Sequence, residues 1–330
     1  MLRETVPRKA AWHTVPARNE CAYVADGGWM SDAQILLYSA LVVVNVTAIA
    51  VWIRTVKRHR LQERPAPADL AIGCVTSFLD TLGIGSYAQI TALFKLRKRP
   101  VDELIPGTLN VGSVVPAFVG SLLYVVVVAV DPLLLICMLA SAAAGAWLGA
   151  GVVSRMPRRA IQLFMGAALL IAAVFFAMTN LGVIPPTGTA MRLTGWHFAI
   201  AVAANFLLGA LMCVGVGNYA PSMVLLGALG MHPIAAYPIM IGSDGVLIPV
   251  ASLGFLKSRR FAPGPALGIA VGGAVGALCA VPLVKSISTH LTAMRWLVTV
   301  VILYAAVSML HSARISSAQQ RTLEKIHANQ

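Results

Sequence analysis

Long apolar runs separated by short, mostly basic stretches make up the chain. The runs cover about 34–53, 68–94, 104–129, 132–153, 160–183, 194–229, 234–256, 262–283 and 294–312. Most have the ~20 residues that carry a helix across a ~30 Å hydrocarbon core. The pattern predicts an all-α polytopic membrane protein. Run 194–229 is too long for one crossing: its 36 residues would extend about 54 Å as a single helix at ~1.5 Å per residue. Gly215-Val216-Gly217-Asn218 lies inside it, and Gly83-Ile84-Gly85-Ser86 lies inside 68–94. Such glycine pairs break a helix and turn the chain. Both runs are expected to be hairpins that return to the side they enter from.

Charge supports the hairpins. Lys and Arg total 25 against 12 Asp and Glu, for a net charge of +13. If all nine runs crossed, basic residues would divide 12 inside and 13 outside, against the positive-inside rule. With two hairpins, 54–67, 95–103, 154–159, 257–260 and 313–330 share one side and carry 18, leaving 7 for the other. The excess is therefore a topology signal and does not imply a nucleic-acid partner. Charged residues are only 11% of the chain and mean hydropathy is +0.80, against about 25% charged in a soluble domain. The partner implied by composition is the lipid bilayer. The five cysteines are scattered without ligand spacing, and the four inside apolar runs read as small buried hydrophobes. No metal site or cofactor is expected.

The two hairpins resemble each other. Leu79 to Ala88 can be laid on Leu211 to Ala220 at an offset of 132, which also places Leu93 on Leu225 and Pro106 on Pro238. Gly145-Ala146 falls on Gly276-Ala277 at 131. The expected organisation is a tail over 1–33, with a native start at Met30; an extra helix and basic loop over 34–67; a first repeat over 68–193; a second over 194–312; and a tail over 313–330. Each repeat is a broken-helix hairpin followed by three crossings. Three is odd, so the second copy inserts upside down, the inverted topology of many secondary transporters.

A helix broken at membrane depth is tolerated where protein or a water-filled cavity satisfies its backbone. Helix N-termini and glycine nests direct N–H groups at whatever fills that cavity. Two such tips meeting near the midplane would form an anion site without buried Lys or Arg. The candidates are Gly83, Gly85, Ser86, Tyr87, Gln89, Thr108 and Asn110 from the first repeat. Gly215, Gly217, Asn218, Tyr219, Ser222 and Ser243 are their counterparts from the second. Asp80 and Asp244 are ionisable residues at depth, where charge is costly and a functional role is the default hypothesis. Each is a candidate for proton coupling, against a plainer role capping a half-helix or facing water. Asp69, Asp102, Glu103 and Asp131 at segment ends read as solvated, and His197 as a polar packing residue. Gly145 and Gly149, like Gly268, Gly272 and Gly276, have the spacing of close helix packing.

These motifs resemble the sulfite exporter TauE/SafE family over about 68–312. The resemblance rests on Gly83-Ile84-Gly85 and Gly215-Val216-Gly217, followed by Pro106-Gly107-Thr108-Leu109-Asn110 and by Pro238 through Ser243-Asp244-Gly245. Ser86-Tyr87 and Asn218-Tyr219 depart from the family's continued glycines and suggest a divergent subgroup. The resemblance implies a permease for small sulfur-containing or organic anions, expected in a bacterial inner membrane; a proton or sodium is the expected coupling ion, and the basic-residue count places the C-terminus on the cytoplasmic side. A passive anion channel and a non-transporting regulatory membrane protein are the alternatives. With no HExxH, GxSxG or paired-Asp motif, an enzyme is not expected.

Overall fold

A computed structural model describes residues 32–61, 63–81, 85–124, 131–183, 190, 192–215, 217–284, 296, 299–300 and 302–315. The expected start at Met30, Gly83 and most of the C-terminal tail lie outside these. The described residues form helices α1 (Asp32–Arg58), α2 (Pro67–Thr81), α3 (Tyr87–Arg97), α4 (Ile105–Gly112), α5 (Val114–Tyr124) and α6 (Pro132–Val153). They continue with α7 (Arg158–Asn180), α8 (Gly195–Met212), α9 (Tyr219–Ala228), α10 (Pro233–Ser258), α11 (Pro263–Val284) and α12 (Ile302–Ile315). No strand occurs among them beyond one isolated bridge, Ala190 to Met231. Six of the helices or helix pairs are long and apolar enough to cross a membrane. Outward side chains such as Leu36, Trp147 and Ile171 are 65%, 68% and 65% exposed, as a surface facing lipid requires.

Both broken runs turn back. Arg97 at the end of α3 ion-pairs with Asp69 at the start of α2, and Arg99 reaches Glu63 at 3.2 Å. In the second hairpin the Ala190 N–H donates to the Gly230 carbonyl (3.0 Å), and the His232 N–H donates to Ala190 (2.8 Å). The segment before α8 thus meets the segment after α9. The arms are unequal, because α8 has 18 residues and alone could cross, whereas α9 has 10.

One face of the molecule gathers the basic segments. Asp102 accepts from Lys95 (2.8 Å) and lies 3.7 Å from Arg158, Arg260 approaches Glu103 at 3.6 Å, and Lys95 also donates to Ser312 (2.8 Å). Together with Arg99–Glu63, these contacts join four of the five regions expected on one side and reach Ser312, the last residue of the run before the fifth. The reading of Asp69 and Asp102 as solvated is corrected here. They are 5% and 6% exposed, because each neutralises a cation where helix ends converge and Gln162 adds a bond to Asp102 at 2.6 Å. Asp131 instead caps α6, accepting from the Leu133 and Leu134 N–H groups. The cysteines also differ from expectation: Cys213 is buried, but Cys74 and Cys137 are partly exposed and Cys279 is exposed.

Some elements keep the sequence offset. Helices α3 and α9 begin at Tyr87 and Tyr219, 132 residues apart. Packing exchanges partners between the halves, α2 lying against α11 and α8 against α6. A Cβ on Gly276 would sit 2.0 Å from the Cys74 carbonyl oxygen, and one on Gly145 1.9 Å from that of Phe206. The offsets convert the first pair into the second. They also convert Gly273 against Ser77 into Ala142 against Gly209.

Candidate functional site

The hairpin tips converge on one cavity of about 50 Å³, room for a few waters, where polar side chains are set into a largely apolar wall that includes Pro116, Ile241 and Ile248. Helix α2 supplies Ser77, Asp80 and Thr81, and the first tip supplies Gly85, Ser86 and Tyr87. The second tip supplies Gly217 and Asn218, with Met212 from the end of α8. Ser113 at the α4–α5 junction and Asp244 from the middle of α10 close the wall, and among the described residues no Lys or Arg lines it.

Each tip turns at a glycine. Gly85 has φ +81° and Gly215 φ +98°, a left-handed conformation that β-carbon-bearing residues adopt at a cost of about 1–2 kcal/mol. The two halves use different members of the glycine pair at the described positions. A Cβ on Gly215 would also meet Met165 Cε at 2.6 Å, whereas one on Gly85 would meet nothing within 4 Å.

The two carboxylates lie deep in the fold and open partly onto the cavity. Asp244 lies within electrostatic reach of Asp80 and Tyr87 and beside Asn218, while Ser86 neighbours Asp80. Asp244 Oδ1 and Asn218 Nδ2 are buried without a hydrogen-bond partner. An unmet acceptor and an unmet donor thus belong to neighbouring side chains that both line the cavity.

The remaining candidates support this lining. Gln89 Nε2 donates to the Gly85 carbonyl at 2.5 Å and holds the first tip. Ser222 Oγ donates to Asn218 Oδ1 at 2.8 Å, which orients the amide nitrogen of Asn218 away from Ser222. Asn110 Oδ1 accepts from the Tyr87 hydroxyl at 3.5 Å, and Ser243 Oγ accepts from Asn205 at the same distance. Thr108 lies elsewhere: its hydroxyl accepts the Ala262 N–H at 2.9 Å and ties α4 to the start of α11. Gly215 shapes its tip without lining the cavity. Tyr219 begins α9, and its side chain is outside the described residues, as is Gly83. Sequence reasoning missed Ser77, Thr81 and Ser113. Ser77 follows from helical spacing three residues before Asp80, and Thr81 from its place four residues after Ser77, whereas nothing local marks Ser113.

Among the described residues, apolar membrane-length helices surround a chamber with buried polar groups between two broken helices, an arrangement found in transporters. The family model of the sulfite exporter TauE/SafE matches residues 3–176, and the chain belongs to that family of membrane permeases. No curated protein and no solved structure matches the chain.

Proposed function

We propose that the protein is a secondary transporter of a small sulfur-containing or organic anion, working by alternating access around the cavity between the hairpin tips. Residues 68–193 and 194–312 act as two inverted repeats, the exchanged helix pairs being the observation that favours inversion. The backbone around Gly85 and Gly217, with Ser86, Tyr87 and Asn218, receives the anion. Gln89, Asn110 and Ser222 hold those groups in place.

The observation that carries the reading is the pair of carboxylates in a chamber without a cation. An anion beside ionised Asp80 and Asp244 meets like charge in a low dielectric, an unfavourable arrangement. Neutralising the carboxylates, by protons or by a bound sodium, removes that barrier. Entry of the anion and of the coupling cation are then linked, each raising the other's affinity. Charge compensation of this kind yields coupled transport without a buried Lys or Arg.

Counterflow in proteoliposomes tests the carrier. Liposomes preloaded with sulfite, thiosulfate, a sulfonate or a carboxylate should take up the labelled anion faster than empty ones. Uptake that ignores preloading identifies a passive channel, and failure of every anion to move overturns the transport reading. An inward proton or sodium gradient should drive accumulation in the native protein. Asp244→Asn should uncouple the anion from that gradient while leaving counterflow measurable.

A further inference from the structure

A second, larger cavity lies outside the central chamber. It is a groove of about 870 Å³ between α1 and α11, reaching Val115 of α5. Its walls are apolar, with Trp52 and Ile53 on one side and Leu267, Val271 and Val275 on the other. Ile53, Leu267, Val271 and Val275 are 49%, 40%, 49% and 51% exposed, so the groove opens sideways and continues the outward apolar belt. From Pro263 to Val275 it runs about 18 Å along α11 at ~1.5 Å per residue. One leaflet of the hydrocarbon core is about 15 Å deep.

The groove ends at the basic face of the molecule, where Lys57 and Arg64 stand exposed at its rim. The rim carboxylate, Glu63, is already engaged: Arg99 contacts Oε1 at 3.2 Å and the Gly264 N–H donates to Oε2 at 3.3 Å. An apolar slot of leaflet depth, open to the side and topped by two cations, matches an amphiphile with acyl chains and an anionic head. We propose that this groove binds an anionic phospholipid, its chains between α1 and α11 and its phosphate at Lys57 and Arg64. The lipid would fasten the basic end of α1 to the transport unit, which α1 otherwise grips through α5 and α10.

Native mass spectrometry and thermal unfolding of the delipidated full chain in detergent provide the test, with phosphatidylglycerol, phosphatidylcholine and soluble glycerol 3-phosphate as probes. Phosphatidylglycerol should be retained and should raise Tm, phosphatidylcholine should bind more weakly, and glycerol 3-phosphate should have no effect. The double variant Lys57→Glu/Arg64→Glu, exposed and outside the packed core, should weaken phosphatidylglycerol at least tenfold, with about 1 kcal/mol per basic residue at an anionic surface. Arg155→Glu/Arg159→Glu, elsewhere on the basic face, should leave it unchanged. Ala274→Phe should block the slot and lower retention of both lipids. Equal retention of the two lipids by the native chain overturns the proposal, as does equal loss in both charge-reversed variants. Stabilisation by glycerol 3-phosphate alone also overturns it, because a site for free phosphate would not need the slot.

Discussion

Pro249 lacks the N–H that would close α10 onto the Gly245 carbonyl four residues earlier, and Asn45 of α1 takes the vacant place. Its Nδ2 donates to Gly245 O at 2.8 Å and to Leu41 O at 2.9 Å. An unmet carbonyl in the hydrocarbon core is costly, so Asn45→Leu should lower Tm by an amount corresponding to about 1 kcal/mol. Pro249→Ala in the same background restores the backbone donor and should recover part of the loss; no recovery would assign Asn45 a different role. Nothing local in the sequence links positions 200 residues apart, and the extra N-terminal helix reads there only as an appendage. The glycine tips were legible, but their unequal demands were not. Gly85→Ala forces a side chain into left-handed φ, whereas a Cβ on Gly217 would lie 3.8 Å from Tyr87 Cβ, an ordinary contact. Transport assays should find Gly85→Ala strongly impaired and Gly217→Ala close to native. The reverse ranking would remove φ strain as the reason for glycine at the first tip.

Helix pairs explain why the small-residue spacing takes the form it does. The sequence shows Gly268, Gly272 and Gly276 on one stripe, which predicts close packing without naming a partner. That partner is α2: Cβ atoms at these positions would fall 2.4 Å from the Asp69 side chain, 2.0 Å from Leu70 O and 2.0 Å from Cys74 O. Backbone cannot yield as a side chain tip can, so the helices must part. Gly145→Ala and Gly276→Ala should each destabilise the protein by about 1–3 kcal/mol despite alanine's better helix propensity. Gly120→Ala and Gly151→Ala meet nothing within 4 Å and should be neutral or mildly stabilising. Thermal unfolding of the four variants checks both halves of the contrast. The same exchange of backbones places Asp80, near the end of α2, close to the α8–α9 turn. Asp80 and Asp244 were recognisable from the sequence as carboxylates at depth. Their meeting in one chamber depends on α2, α10 and both tips, and a linear reading cannot show it.

At the scale of the molecule, the distribution of basic residues and the hydrogen-bonded contacts both fit the proposed topology. The count of Lys and Arg requires two segments to return, and the Arg97–Asp69 and Arg99–Glu63 pairs join the ends of the first of them. Four basic regions far apart in sequence are then tied together at one face, with Ser312 beside them, while the Ala190 bonds close the second hairpin just before the start of α8. In the proposed topology, hairpins opening from opposite faces would make alternating access by two inverted repeats geometrically available. In a cysteine-free background, single cysteines at His59, Lys98, Arg155 and Arg259 should react with an impermeant maleimide applied to one side of the membrane. Cysteines at Arg192 and Ala228 should react from the other side. Labelling of His59 and Lys98 from opposite sides would make 68–94 a plain crossing and remove the first tip from the midplane. Labelling of Ala228 from the side opposite Arg192 would do the same for the second tip. With either tip displaced, Asp80 and Asp244 would no longer face one chamber, and coupling through their shared neutralisation would lose its structural basis.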